Sequence, residues 1–80
     1  MSDRHKILLV DDEPAITTNL SAFLERSGYK TAVAADGEAA LQLVETDKPD
    51  LIVLDVLMPK IDGREVLRRL RQSGVWTPVI

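Results

Sequence analysis

Leu51-Ile52-Val53-Leu54-Asp55-Val56-Leu57-Met58-Pro59-Lys60-Ile61-Asp62-Gly63 is the stretch that decides the fold of this chain. Four apolar, mostly strand-favouring residues run into a single carboxylate, and a Pro followed by Asp-Gly then turns the chain. A run that is apolar at every position suits a strand covered on both faces, as in a parallel sheet. Asp55 then stands at the carboxyl end of a buried central strand, where ligands bind in open α/β sheets. The same residue also suits a plain turn, so a functional reading needs a second feature elsewhere.

Toward the N-terminus, Lys6-Ile7-Leu8-Leu9-Val10 is another short apolar run, ending abruptly in Asp11-Asp12-Glu13-Pro14. It reads as the first strand. Pro14 suits the first turn of a helix, and acidic residues ahead of it suit the positive end of the helix dipole. Ile16, Leu20, Phe23 and Leu24 then mark one face of a first helix that Gly28 terminates. Residues 29–35, with Tyr29 and Val33 at alternating positions, read as a second strand, weakened by alanines. Asp36 is a candidate N-cap for a short second helix carrying Ala40, Leu41 and Val44, which Lys48-Pro49-Asp50 breaks.

Beyond Asp62-Gly63, Val66, Leu67 and Leu70 form the buried face of a third helix stopped by Ser73-Gly74. Its Arg64, Arg68, Arg69 and Arg71 read first as the wet face, with docking of a partner as the alternative. Residues 75–80 read as a fourth strand, with Pro78 where a missing N–H is tolerated. Strand and helix alternate with short connections, which predicts a doubly wound α/β fold with a parallel sheet, β-α-β-α-β-α-β. A sheet that ends on an apolar strand is incomplete: another chain covers it, or the chain is a fragment.

Eighty residues allow one small domain over 1–80, able to bury only about 60% of its unfolded surface. With 45% apolar and 29% charged residues the chain is compositionally globular. It has no cysteine, which excludes disulfides and thiolate metal sites. No apolar run approaches the roughly 20 residues of a membrane span, and residues 1–6 are too short and too charged for a signal peptide. A cytoplasmic location is the expectation. Net charge −3 and a pI near 5.0 argue against this segment gripping nucleic acid.

Asp11-Asp12 is the second feature, since it ends strand one as Asp55 ends strand three. If those strands are neighbours, as in the order 2-1-3-4, the three carboxylates converge at the topological switch point. Two carboxylates about 4 Å apart repel by roughly 4 kcal/mol at an effective dielectric near 20, so the cluster calls for a cation or a shared proton. Oxygen-only donors select a hard ion, Mg²⁺ before Ca²⁺. The competing role for Asp11, Asp12 and Glu13 is to cap helix one. A Mg²⁺ beside a strand-end carboxylate suits phosphoryl transfer to Asp55 as nucleophile, giving an aspartyl phosphate.

Five pieces in order carry a resemblance: Ile7-Leu8-Leu9-Val10-Asp11-Asp12-Glu13-Pro14, Ala35-Asp36-Gly37-Glu38-Ala39-Ala40, Pro49-Asp50-Leu51-Ile52-Val53-Leu54-Asp55, Met58-Pro59-Lys60-Ile61-Asp62-Gly63 and Thr77-Pro78-Val79-Ile80. Over residues 6–80 the chain resembles the receiver domain of two-component response regulators. The resemblance implies a flavodoxin-like sheet and a phosphoacceptor, not a turnover enzyme, with Asp55 phosphorylated by a histidine kinase or phosphotransfer protein. It implies that Asp12 binds Mg²⁺ directly, that Asp11 helps, often through water, and that the Leu57 carbonyl is a further ligand. Pro59 and Gly63 would shape the loop above the acceptor.

Receivers also carry a Ser or Thr ending strand four and a Lys ending strand five; both would lie past Ile80, and Lys60 and Thr77 do not replace them by position. The expectation is therefore a receiver truncated after strand four, prone to self-association through the strand-four edge and the uncovered sheet face. A haloacid-dehalogenase-type enzyme would need a second Asp where Leu57 stands. A nucleotide-binding domain would need a Gly-rich loop where Asp11-Asp12-Glu13-Pro14 stands. The alternative left open is a phosphorylation-incompetent interaction module. His5 has no expected role, Met58 reads as loop packing, and Trp76 reads as a partner anchor or a cover for exposed core.

Overall fold

A computed structural model of the chain describes residues 5–55 and 62–80. Strand and helix alternate as β1 (Lys6–Val10), α1 (Pro14–Arg26), β2 (Lys30–Ala34), α2 (Gly37–Asp47), β3 (Leu51–Leu54) and α3 (Gly63–Gln72). β1 is central in the sheet, in the order β2-β1-β3, and parallel to both neighbours. Val10 stands level with Ala34 on one side and Leu54 on the other. That register brings the residues after Val10 and after Leu54 to the same end of the sheet.

The helix ends follow from local chemistry. Asp36 and Asp62 cap α2 and α3, their carboxylates accepting the Ala39 N–H at 2.8 Å and the Glu65 N–H at 3.0 Å. α1 and α3 both close on a Ser-Gly pair. The Gly28 N–H reaches the Glu25 carbonyl and the Tyr29 N–H the Leu24 carbonyl; Gly74 and Val75 repeat the pattern on Arg71 and Leu70. The glycines take φ of +100° and +81°, the left-handed region that this turn requires.

The core lies between the sheet and the α2–α3 layer and contains Leu8, Val10, Ala34, Ala40, Val44, Ile52, Val66 and Leu70. In β2 the buried positions differ from the expected ones. Val33 is 45% exposed, while Ala34 is buried and Ala32 packs on the core. The small alanines of β2 and Ala40 of α2 let helix and strand approach closely, so the weak strand formers carry the contact.

α1 is rotated from the face that its apolar periodicity marks. Ile16 and Phe23 are exposed, Leu20 and Leu24 are half-buried, and Thr17 is the buried residue. The buried Thr17 is satisfied inside the helix, and the side-chain hydrogen bonds that cross from α1 to the sheet are polar. The Thr17 hydroxyl donates to the Pro14 carbonyl within its own helix at 3.2 Å, so it is buried with a partner. Ser21 and Thr31 join α1 to β2 through their hydroxyls at 2.6 Å, and Thr31 Oγ1 also donates to Glu25 Oε2 at 2.7 Å.

β3 is not covered evenly on both faces: Ile52 is buried, whereas Leu51, Val53 and Leu54 are half-buried. The fourth strand appears at the expected place, parallel to β3, but as a single bridge between Ile52 and Val79. The Ile52 N–H donates to the Pro78 carbonyl at 2.9 Å, the Ile80 N–H to the Ile52 carbonyl at 2.9 Å and the Leu54 N–H to the Ile80 carbonyl at 3.0 Å. The order 2-1-3-4 therefore holds in placement. The first half of the segment is drawn to α3 instead, where the Val75 and Thr77 carbonyls accept from Arg71.

Candidate functional site

Parallel pairing in register assembles the acidic cluster. The Asp55 N–H donates to the Val10 carbonyl at 2.9 Å, and the Asp11 N–H to the Ala34 carbonyl at 3.1 Å. The ladder thus continues one residue past each strand and sets Asp11 beside Asp55. Asp12 follows on the exposed side. One carboxylate oxygen from each of Asp11, Asp12 and Asp55 lies within 4.8 Å of the others. All three residues singled out from the sequence as candidate metal ligands by their side chains are thus brought together.

Of the capping alternative, the part assigned to Glu13 is not seen. Glu13 occupies the N-cap position of α1 and makes no side-chain capping bond, and Pro14 begins the helix without an N–H. Asp11 Oδ1 accepts the N–H of Glu13 at 2.9 Å, so this carboxylate braces the entry to α1 while it stands beside Asp55.

The donor set is oxygen only, with no His or Cys in the cluster. Opposite ligands of an octahedral Mg²⁺ lie about 4.2 Å apart, so carboxylates gathered to 4.8 Å need only a small adjustment or one bridging water to share the ion. The residues fit a hard divalent cation. The Leu57 carbonyl, expected as a further ligand, lies outside the described residues, as do Met58, Pro59 and Lys60. Gly63 is described, and is buried as the first residue of α3.

The carboxylates border an open cleft of about 540 Å³ between α1 and the strand ends, whose apolar wall includes Leu9, Ile16, Leu20 and Val53. Sequence reasoning placed Ile16 and Leu20 on one apolar face of the first helix and did not identify that face as a wall of the site. Helical spacing identifies a face without saying what covers it. His5 is exposed, with Nδ1 at 3.6 Å from Asp50 Oδ2 at the opposite end of β1. On α3, Glu65 is paired with both Arg68 and Arg69. The Arg68 guanidinium, followed by that of Arg69, holds the Glu65 carboxyl down at about 2.

The family model described as the response regulator receiver domain matches residues 7–80. The chain is 57% identical over 75 residues to the alkaline phosphatase synthesis transcriptional regulatory protein PhoP of Bacillus subtilis, across 94% of this chain and 31% of that protein. It is 45% identical over 75 residues to the response regulator MprA of Mycolicibacterium vanbaalenii, across 94% of this chain and 32% of that one. The chain thus spans about a third of the length of these curated relatives. Among solved structures, the receiver domain of the Francisella response regulator 1452 superposes with a TM-score of 0.90 at 39% identity, covering 95% of this chain and 63% of that one. The chemotaxis response regulator CheY4 of Vibrio cholerae superposes with a TM-score of 0.91 at 34% identity, covering 96% and 66%.

Proposed function

This chain belongs to the response regulator receiver domain family, and from that premise we propose that it is a phosphoacceptor of two-component signalling in which Asp55 takes a phosphoryl group from a phosphohistidine. The donor is a histidine kinase or a phosphotransfer protein. The observation that carries the reading is the gathering of Asp11, Asp12 and Asp55 to within 4.8 Å at the end of the sheet. An Asp55 carboxylate oxygen bonds to phosphorus while the bond from phosphorus to the donor imidazole breaks. The imidazole nitrogen keeps the electron pair and takes up a proton, and Asp55 becomes an acyl phosphate.

Asp12 and Asp11, with Asp55 itself and the Leu57 carbonyl, would hold Mg²⁺. When bound, the ion supplies positive charge against the phosphoryl oxygens and the crowded carboxylates. The chain's own groups orient the site: the Glu13 N–H holds Asp11, and the Val10 carbonyl holds the main chain of Asp55. The protein is modified once per event and does not turn over a substrate. Such a donor places it in the cytoplasm, and among the described residues no helix is long and apolar enough to cross a membrane. A net charge of −3 has the same sign as a nucleic-acid backbone, which argues against this segment gripping nucleic acid.

The test is the intact mass after incubation with a small-molecule phosphodonor, with and without Mg²⁺, beside Asp55→Asn. The expected result is a Mg²⁺-dependent gain of one phosphoryl group that the variant lacks. A folded chain that gains nothing would make the interaction-module reading the better one.

A further inference from the structure

We propose that Arg71 fastens residues 75–80 to the free edge of β3, acting as the clip that decides whether the edge is covered. Residues 78–80 meet β3 through three backbone hydrogen bonds, those linking Pro78 and Ile80 to Ile52 and Leu54. Pro78 has no N–H to add to this ladder. The preceding residues are held from the other side. Arg71 Nη1 donates to the Val75 carbonyl at 2.8 Å and to the Thr77 carbonyl at 3.0 Å, and the guanidinium carbon lies 5.4 Å from the centre of the Trp76 ring between them. One side chain thus engages three consecutive residues.

The grip has a defined origin and direction. Arg71 lies in the last turn of α3, and the Schellman turn at Gly74 folds Val75 back onto the Leu70 carbonyl. The chain is thereby started along the helix flank at the point where the guanidinium reaches it. Trp76 is 74% exposed, so its attachment comes from the cation over its ring rather than from burial in the core. The Ile80 carbonyl that the clip helps to place receives the N–H of Leu54, the residue before Asp55. The inference concerns the strand edge and stands whether or not Asp55 is phosphorylated.

Amide hydrogen exchange on the 80-residue chain reads this directly. Charge-assisted hydrogen bonds of this kind lead us to expect Arg71→Met, which keeps the apolar stem, to speed exchange of the Ile52, Leu54 and Ile80 amides by about tenfold or more. The Asp11 and Asp55 amides, which bond within the β2-β1-β3 sheet, should be unchanged, and Arg71→Lys should recover part of the protection. Unchanged exchange at the three edge amides, or an equal rise at all five, would overturn the proposal. If Arg71→Met does not fold, the guanidinium of the unaltered chain decides: resolved, slowly exchanging Nη protons support the clip, and a freely rotating, averaged group overturns it.

Discussion

The two faces of the sheet are built from the same strands and finish differently. On one, α2 and α3 close over Leu8, Val10, Ala34 and Ile52, and their own Ala40, Val44, Val66 and Leu70 fill the space between. On the other, α1 is the single helix laid across the sheet among the described residues. Ile7 and Leu9 are buried, but Ile16 and Phe23 are exposed at 49% and 56%, and Val53 is half-buried. Burial follows the covering elements as well as the apolar pattern: Val33 and Val53 are as apolar as Val10 and Ile52, yet they stay partly open. The carboxylate cleft opens on the thinly covered side, where α1 leaves room beside Val53.

Core truncation separates the faces most sharply. Leu8→Ala on the closed face should cost about 2–5 kcal/mol, a large share of the stability of a domain this small, whereas Phe23→Ala should stay within about 0.5 kcal/mol, as exposed substitutions do. Urea unfolding of the two variants checks this, and equal costs would mean that α1 is packed as tightly as its partners. Helix capping gives a smaller contrast. Asp36→Ala should destabilise by about 1 kcal/mol through loss of the bond to the Ala39 N–H, while Glu13→Ala at the uncapped start of α1 should change little. A comparable loss at Glu13 would show a cap in solution that the structure lacks.

The smallest effect is expected on the wet side of α3. The paired arginines lower the Glu65 carboxyl from 4.5 to about 2, so its contribution to stability is present above pH 4.5 and is lost as pH falls toward 2. A carboxyl chemical-shift titration should show that midpoint for Glu65, with Arg68→Met moving it back toward 4.5. An ordinary midpoint in the unaltered chain would mean that solvent breaks the pairs.

Much of this architecture was legible because it is local. Apolar runs of strand length, the Asp36 cap, the turn at Asp62-Gly63 and the Ser-Gly stops at Gly28 and Gly74 all act within a few residues of themselves, so the order of elements followed from reading along the chain. Asp11 and Asp55 were visible as strand-end carboxylates for the same reason. The orientation of α1 and the inward face of β2 were not legible, since the Ser21–Thr31 contact and the Ala34–Ala40 packing join separate elements across a turn, and the pattern within either element does not show them. Arg71 read as one more wet arginine, because its partners, two main-chain carbonyls and an exposed ring, leave no pattern of residue types.

By itself, then, the sequence determined the succession of strands and helices, where each helix begins and stops, and which carboxylates end the strands, because backbone propensity, capping and turn chemistry are short-range. Only the tertiary structure decided that β1 lies between β2 and β3 in the register that brings Asp11, Asp12 and Asp55 within 4.8 Å, and which apolar residues were covered. Those outcomes depend on how many elements pack on each face and how closely, a condition that no stretch of chain contains alone.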